Sequence, residues 1–389
     1  MTNRPNIDRL LIPDTPFYYY DLNILRKTLN QLKNIQEKYG FIIHYAVKAN
    51  ANSRILRIIK NYGLGADCVS GNEITHTLSN GFKPENIVYA GVGKSDREID
   101  IALDNNIAFF NCESLAEIEV INERASLKNQ TARIALRINP EINANTHQYI
   151  TTGVEENKFG INRTETVKVI RACKKMKNIK LQGLHVHIGS QIQDVDIFKS
   201  LCLRINELQE VFRKEGVPTN YINVGGGLGI NYEHPEENSI PDFHSYFKIF
   251  NQFLDRTPNH RIHFELGRSV VGQCGCLVTR VLYVKEGLHT KFAIVDAGMT
   301  ELIRPALYQA SHKIINLTSN KSPEKYDVVG PICESSDYFG KNVLLKKVSR
   351  GDRLLIYSTG AYGEVMRSNY NLREHVKSHY SEDFPQIEK

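Results

Sequence analysis

The sequence predicts an α/β protein, a (β/α)8 barrel of the TIM type followed by a mostly β C-terminal domain. Two observations carry this. Eight short apolar runs between residues 41 and 268 alternate with helix-like segments, and eight strands are what such a barrel needs to close. Beyond about residue 270 the texture changes to β-branched runs separated by turn-like stretches, with little helical patterning. An open doubly wound sheet is the alternative for the first part. The expected boundaries are residues 21–268 for the barrel and residues 1–20 plus 269–389 for the β-rich domain.

In chain order, "TPFYYY" is an early strand lying before the first barrel helix, so it can join the second domain. "DLNILRKTLNQLKNIQEKYG" follows, with Asp21 as N-cap, Leu22, Leu25, Leu29 and Leu32 at helical spacing, and Gly40 as the stop. The eight barrel runs are "FIIHYAVK", "GADCVS", "NIVYAG", "IAFFNCES", "RIALRINP", "LQGLHVHIGS", "YINVGGG" and "RIHFELGR". Between them lie segments such as "SRILRIIKNYG" and "IFKSLCLRINELQEVFRKEG". In the second domain "GCLVTRVLYVKE", "KFAIVDAG" and "DRLLIYST" read as strands.

Composition narrows the class. Of 389 residues, 41% are apolar and 24% charged, ordinary proportions for a globular enzyme. The net charge of +6 is spread along the chain without a basic block, which gives no support to nucleic-acid binding and fits a small anionic ligand. No apolar run approaches the roughly 20 residues of a membrane span. The first residues, "MTNRPNIDRLLIPDTPFYYY", lack the basic start and apolar core of a signal peptide. Seven cysteines without CxxC spacing complete the expectation of a cytoplasmic protein with reduced thiols.

Polar residues gather at the C-terminal ends of the barrel strands, where barrels of this kind keep their chemistry. Lys48 ends the first strand, Asp67 and Ser70 the second, Arg137 the fifth, His187 and Ser190 the sixth, Gly225, Gly226 and Gly227 the seventh, Glu265 and Arg268 the eighth. Six strand ends converging on one rim point to an active site. A strand-end lysine ordinarily reaches solvent, but one held in a pocket has a lowered pKa and serves Schiff-base chemistry.

The glycine run "NVGGGLG" lets backbone amides approach an anion, to which Ser190 adds a hydroxyl. It is not a dinucleotide fingerprint, since Ile230 stands where the last glycine is needed, and "GVGKS" fails as a P-loop because Val88 replaces the first glycine. His185 and His187 in "HVHIGS" fall on one side of a strand, but no further ligand set with metal spacing accompanies them. An imidazole stacked on a planar cofactor ring is another use. Glu265 could pair with Arg268, or keep a pyridine nitrogen protonated. Lysine, glycine cup, ring-facing histidine and glutamate together describe a pyridoxal 5'-phosphate site, with no metal.

The ordered motifs "YAVKAN", "GADCVSGNE", "NKFGI", "GLHVHIGSQI", "NVGGGLG", "ELGRS", "RPALYQA", "CESSD" and "GAYG" extend across nearly the whole chain. By them it resembles the fold-type III pyridoxal-phosphate decarboxylases, which share an alanine-racemase-like barrel, and is most similar to those acting on diaminopimelate. The resemblance implies that Lys48 carries the cofactor as a Schiff base, His187 stacks on its ring, and Ser190 with Gly225, Gly226 and Gly227 holds its phosphate. Glu265, Leu266, Gly267 and Arg268 would line the cofactor, with Glu265 on the ring nitrogen. Arg268, Arg304, Tyr308 and Glu334 would contact substrate, and Tyr362 both cofactor and substrate. Cys333 would donate a proton from the partner subunit of a homodimer with shared active sites. Two departures stand out: Leu266 replaces the usual proline of "EPGR", and Ser335 or Ser336 replaces the glycine of "CESGD".

The implied reaction is the decarboxylation of meso-2,6-diaminopimelate to L-lysine and carbon dioxide, the last step of lysine biosynthesis. That substrate carries a second amino-acid head, which needs a cation for its carboxylate and an anion for its ammonium. Arg304 and Glu334 suit these needs. The alternatives are a decarboxylase of ornithine, lysine or arginine on the same fold, or a non-catalytic pyridoxal-phosphate-binding homologue. A racemase would need a second base, and "CESSD" argues against it.

Overall fold

The computed structural model describes residues 10, 11, 13–142 and 158–384. Asn157, the first residue of the "NKFGI" motif, lies outside the described residues, as do residues 1–9 of the expected β-rich domain. Contacts divide the chain into two units. One comprises residues 29–229 and 242–267, the other the described parts of 1–28, 230–241 and 268–389. Relative to the expected boundaries, residues 21–28 and 230–241 and the single residue Arg268 group with the β-rich unit. The second of these segments contains no regular strand or helix of the barrel.

In the first unit eight parallel strands close on themselves: β2 (Ile42–Ala46), β3 (Gly65–Cys68), β4 (Ile87–Tyr89), β5 (Phe109–Cys112), β6 (Ala132–Arg137), β7 (Ile179–His185), β8 (Tyr221–Asn223) and β9 (Arg261–Leu266). Each of the eight apolar runs supplies one. The barrel closes where β2 pairs with β9, with His44 opposite Glu265. The strands are short and buried on both faces, which is why they read as continuous apolar runs.

The crossovers are α2 (Ser53–Asn61), α3 (Gly71–Ser79), α4 (Asp96–Asp104), α5 (Leu115–Leu127), α6 (Thr166–Cys173), α7 (Asp196–Lys214) and α8 (Phe243–Phe253). Helix α1 (Leu22–Tyr39) precedes them. Asp21 caps it by accepting the amides of Asn23 and Ile24, and Gly40 follows its last residue at a φ of 68°. Its four leucines are fully buried, as the spacing predicts.

Inward-facing residues recur at every second position along the barrel strands. Phe109 and Asn111, Tyr221 and Asn223, and His263 and Glu265 are pairs two residues apart, each pair on one face of its strand. At one level Phe109 stacks on Tyr221 with ring centroids 4.0 Å apart, and Tyr221 packs on His263 at 4.3 Å. His263 lies against His44, with Nδ1 and Nε2 2.8 Å apart. A Cβ at residue 65 would overlap the His44 ring, so Gly65 makes the space for it.

The β-rich unit holds the sheet β12–β15–β10–β11–β13–β14, with β1 (Phe17–Tyr20) joined through β10. Its strands are β10 (Gly275–Glu286), β11 (Lys291–Val295), β12 (Ile314–Asn316), β13 (Pro323–Val329), β14 (Tyr338–Lys346), β15 (Arg353–Ile356) and β16 (Lys377–Tyr380). Short helices α9 (Arg268–Val271) and α10 (Arg304–Tyr308) interrupt it. The "TPFYYY" strand pairs antiparallel with β10 and parallel with β16. Four strands of this unit, β12, β13, β14 and β16, carry no clear signal in the sequence. β13 shows why: "PEKYDVV" buries only Tyr326 and Val328, leaving charges along its outer face.

The buried histidine pair gives the barrel an acid limit. Burial lowers the His44 pKa to about 4 against the pull of Glu265 and of its hydrogen bond to the Asn86 carbonyl, and burial lowers that of His263 too. A histidine held neutral in the folded state contributes stability above its unfolded pKa of roughly 6.5, and loses it as pH falls toward the folded value. Urea unfolding should therefore show stability dropping by about 3 kcal/mol for His44 alone between those pH values. His44→Gln should flatten the drop, and equal acid sensitivity in the variant would assign it elsewhere.

Candidate active site

Lys48 lies in a single 3-10 turn, Val47–Ala49, directly after β2, and its side chain is 38% exposed. Its Nζ donates to Oδ2 of the fully buried Asp67 at 2.7 Å. Burial, reinforced by the Glu265 charge, pushes the Asp67 carboxyl up to about 6 despite the lysine. The other Asp67 oxygen, Oδ1, is buried without a partner among the described residues. Asp67 thus tethers the lysine. Ser70 instead caps α3 by accepting the Glu73 amide, and Arg137 donates to Glu113 at 2.5 Å. The second Glu113 oxygen takes the amide of Gly160.

Glu265, in β9, is buried with three side-chain donors around it. Asn111 Nδ2 and Asn223 Nδ2 donate to Oε1 at 3.0 and 2.6 Å, and His185 Nε2 donates to Oε2 at 3.1 Å. Burial opposes the charge, but the His185 charge and hydrogen bond, with the Lys48 charge, hold the carboxyl well below its usual range. The expected alternative of an ion pair with Arg268 is not how these oxygens are satisfied. Leu266 ends β9 in the core, and a Cβ on the next residue, Gly267, would press on Ala49 at 2.9 Å.

The paired histidines of "HVHIGS" part company. The ladder of β7 ends at His185, so His187 lies beyond the strand rather than along its face. His187 Nδ1 accepts the Gly226 amide at 3.2 Å. Burial, then the charges of Arg137 and Lys48, lower its pKa well below the ordinary value, so the ring is neutral. Ser190 sits partly buried in the following loop.

The glycine turn after β8 is built on the same network. Gly225, at a φ of 69°, donates its amide to Asn223 Oδ1 at 2.9 Å. A Cβ on Gly226 would overlap the carbonyl oxygen of Glu265, and Gly227 takes a φ of 113°. Only glycine fits this approach.

In the β-rich unit Arg268, Arg304 and Tyr362 gather around Tyr232, a residue the motifs do not single out. Arg268 Nη1 donates to the Tyr232 hydroxyl at 2.7 Å and its guanidinium lies 4.9 Å from the Tyr362 ring centre. Arg304 lies over the Tyr232 ring at 4.8 Å. Burial weighs against both cations. The phenols of Tyr232, Tyr362 and Tyr308 raise Arg268 nonetheless, whereas Arg304, with Arg268 as a like-charged neighbour, is lowered. Tyr308 ends α10, half-buried.

Cys333 and Glu334 occupy an exposed turn. Asp337 fastens it, its oxygens taking the amides of Met299 and Ile332 at 2.6 and 2.7 Å. Asn371 accepts the Cys333 amide and the Tyr370 hydroxyl donates to Glu334. All seven cysteines are unpaired, and Cys333 alone is exposed. Asn111, Asn223 and Tyr232 are thus additions to the expected residues, as is His312, whose Nε2 accepts from Arg304 Nη1 at 2.8 Å. The two asparagines had a signal, since each lies at a strand end on the side of the strand that faces inward.

A closed eight-stranded parallel barrel with a lysine, a glycine turn and a buried glutamate at one rim, together with a mostly β unit, is the architecture of the fold-type III pyridoxal-phosphate decarboxylases. The pyridoxal-binding domain of the pyridoxal-dependent decarboxylases matches residues 25–272. The chain belongs to that family, and within it to the diaminopimelate decarboxylases. It is 54% identical over 378 residues to the diaminopimelate decarboxylase of Bacteroides thetaiotaomicron, covering 97% of this chain and 98% of the relative. The Helicobacter pylori enzyme of the same name is 41% identical over 361 residues, 92% of this chain and 88% of its own. A crystal structure of Helicobacter pylori diaminopimelate decarboxylase complexed with L-lysine superposes with a TM-score of 0.90 at 38% identity, covering 97% of this chain and 94% of that one.

The glycine turn supplies a test of its own. Gly226→Ala should weaken pyridoxal phosphate binding by roughly tenfold or more, measured by equilibrium dialysis, because the added methyl must push the turn off the Glu265 carbonyl. Unchanged affinity would detach the turn from cofactor binding.

Proposed function

We propose that the protein decarboxylates meso-2,6-diaminopimelate to L-lysine and carbon dioxide with pyridoxal 5'-phosphate, closing lysine biosynthesis. The observation that carries this reading is the 54% identity to a diaminopimelate decarboxylase along 97% of the chain. The side chains fit the cofactor. Lys48 offers a part-exposed amine at the barrel rim, beside Asp67, one of whose buried carboxylate oxygens has no partner among the described residues. Gly225, Gly226 and Gly227, with Ser190, would cradle the phosphate, and the neutral His187 ring would lie on the cofactor face. Glu265, with Leu266, Gly267 and Arg268 alongside, would hold a proton on the ring nitrogen. When bound, the cofactor supplies the electrophilic carbonyl and the electron sink that carbon dioxide loss requires.

The remaining roles belong to the chain. Asp67 orients the Lys48 ammonium and takes its charge. Asn111, Asn223 and His185 keep Glu265 an anion, so it is ready to accept a hydrogen bond from a protonated nitrogen. Arg268 and Tyr362 would bind near the reacting centre, Arg304 and Tyr308 at the far carboxylate, and Glu334 at the far ammonium. Cys333 donates the proton that replaces the lost carboxylate.

An exposed thiol and carboxylate side by side, with Leu372 91% exposed next to the Asn371 that accepts the Cys333 amide, support a homodimer in which Cys333 and Glu334 complete the partner's site. No described helix is long and apolar enough to cross a membrane. That fact and seven unpaired thiols support a cytoplasmic location.

Carbon dioxide release by the holoenzyme should be strong with meso-diaminopimelate and negligible with L-ornithine, L-lysine and L-arginine. Lys48→Ala should abolish both release and the visible absorbance of bound cofactor; retained turnover would sink the assignment. Cys333→Ala should leave cofactor absorbance intact while lowering kcat by roughly 10²- to 10⁴-fold, the usual worth of a positioned proton donor. A normal kcat in that variant would remove Cys333 from the chemistry.

A further inference from the structure

Arg304 is buried, and its guanidinium has three different surroundings. Nη1 donates to Nε2 of His312 at 2.8 Å. The plane covers the Tyr232 ring. Nε is buried and has no partner among the described residues. A buried donor left in this condition is unfavourable, and a carboxylate received along the Nε edge would satisfy it by a charge-assisted bond.

His312 is itself fixed on two sides. Its Nδ1 donates to the Tyr357 carbonyl at 2.8 Å, and its ring meets Tyr232 edge-on, with centroids 5.0 Å apart. An imidazole that donates from Nδ1 and accepts at Nε2 is neutral. Burial, then the Arg304 charge, agree with this by lowering its pKa to about 3. His312 therefore accepts from Arg304 without adding charge to a place that already holds two guanidinium groups.

We propose that His312 is a positioning residue for carboxylate recognition: by holding Nη1 of Arg304 it leaves the Nε edge for the far carboxylate of the amino-acid substrate. This deepens the function proposed above and rests on it, since Arg304 is there given that carboxylate. Tyr232 contributes by separating the two guanidinium groups, one bonded to its hydroxyl and the other on its ring. The selectivity for a substrate with two amino-acid heads then depends on a side chain that need not touch it.

The test compares His312→Leu, His312→Gln and Arg304→Met as holoenzymes. It reads KM and kcat for meso-diaminopimelate, and inhibition by L-lysine and by cadaverine. L-lysine keeps the far carboxylate and cadaverine has none. His312→Leu should raise KM and the L-lysine inhibition constant roughly 10- to 100-fold, the worth of a hydrogen bond to a charged group. It should leave kcat within about threefold and cadaverine inhibition unchanged. His312→Gln, whose amide oxygen can replace the Nε2 acceptor, should recover most of the loss. Unchanged KM in His312→Leu, or equal loss of L-lysine and cadaverine inhibition, would overturn the positioning role while Arg304→Met still raises KM. Arg304→Met with normal KM would overturn the placement of Arg304 and this proposal with it. Wild-type enzyme inert toward diaminopimelate would instead overturn the function.

Discussion

The barrel is organised around one buried carboxylate. Glu265 stands on the last strand, facing inward, where an ionised group is tolerated only with a full set of donors. The donors come from three other strands: Asn111 of β5, Asn223 of β8 and His185 of β7. Asn223 has a second duty, because its amide oxygen accepts from Gly225 while its nitrogen donates to Glu265. The position of the carboxylate and the shape of the glycine turn are consequently set together. The same charge acts on Asp67, and through it on the tether of Lys48.

The β-rich unit treats cations as the barrel treats its anion. Arg268 and Arg304 are both buried, and neutral groups surround them: Tyr232, Tyr362, the His312 imidazole. Glu265 also feels the charges of His185 and Lys48, whereas the two guanidinium groups are held among dipoles and π-faces. Such an environment leaves a charge unneutralised and available to a ligand, which a local salt bridge would not.

Much of this was legible in the residues. Eight apolar runs became eight strands because parallel barrel strands, covered on both faces, have no polar alternation to obscure them. The glycine turn, Lys48 and Glu265 announced themselves because each is an anomalous residue type at the end of such a run. Their supports were harder to see. Asn111 lies 154 residues from Glu265, and pairing them requires the closed barrel. Tyr232 falls in a stretch without regular structure, and His312 looks like any loop histidine until α10 is in place. His187 was drawn along a strand that ends two residues earlier, since periodicity alone does not say where a ladder stops. Strands β13 and β14 of the β sheet escaped because charged residues interrupt their few buried positions, and β12 because three residues are too short to show a period.

Strand β1 takes both of its neighbours from far along the chain: β10 on one side and, on the other, β16, with Phe17 opposite Lys377 and Tyr20 opposite Tyr380. A chain made from its N-terminus can assemble all eight barrel strands before β16 exists. The first strand must wait with both edges unpaired until β10 is made, and with one edge unpaired until β16 follows. The tetrapeptide "FYYY" thus stays an unfinished edge throughout the synthesis of the barrel, and β16 acts as its cover.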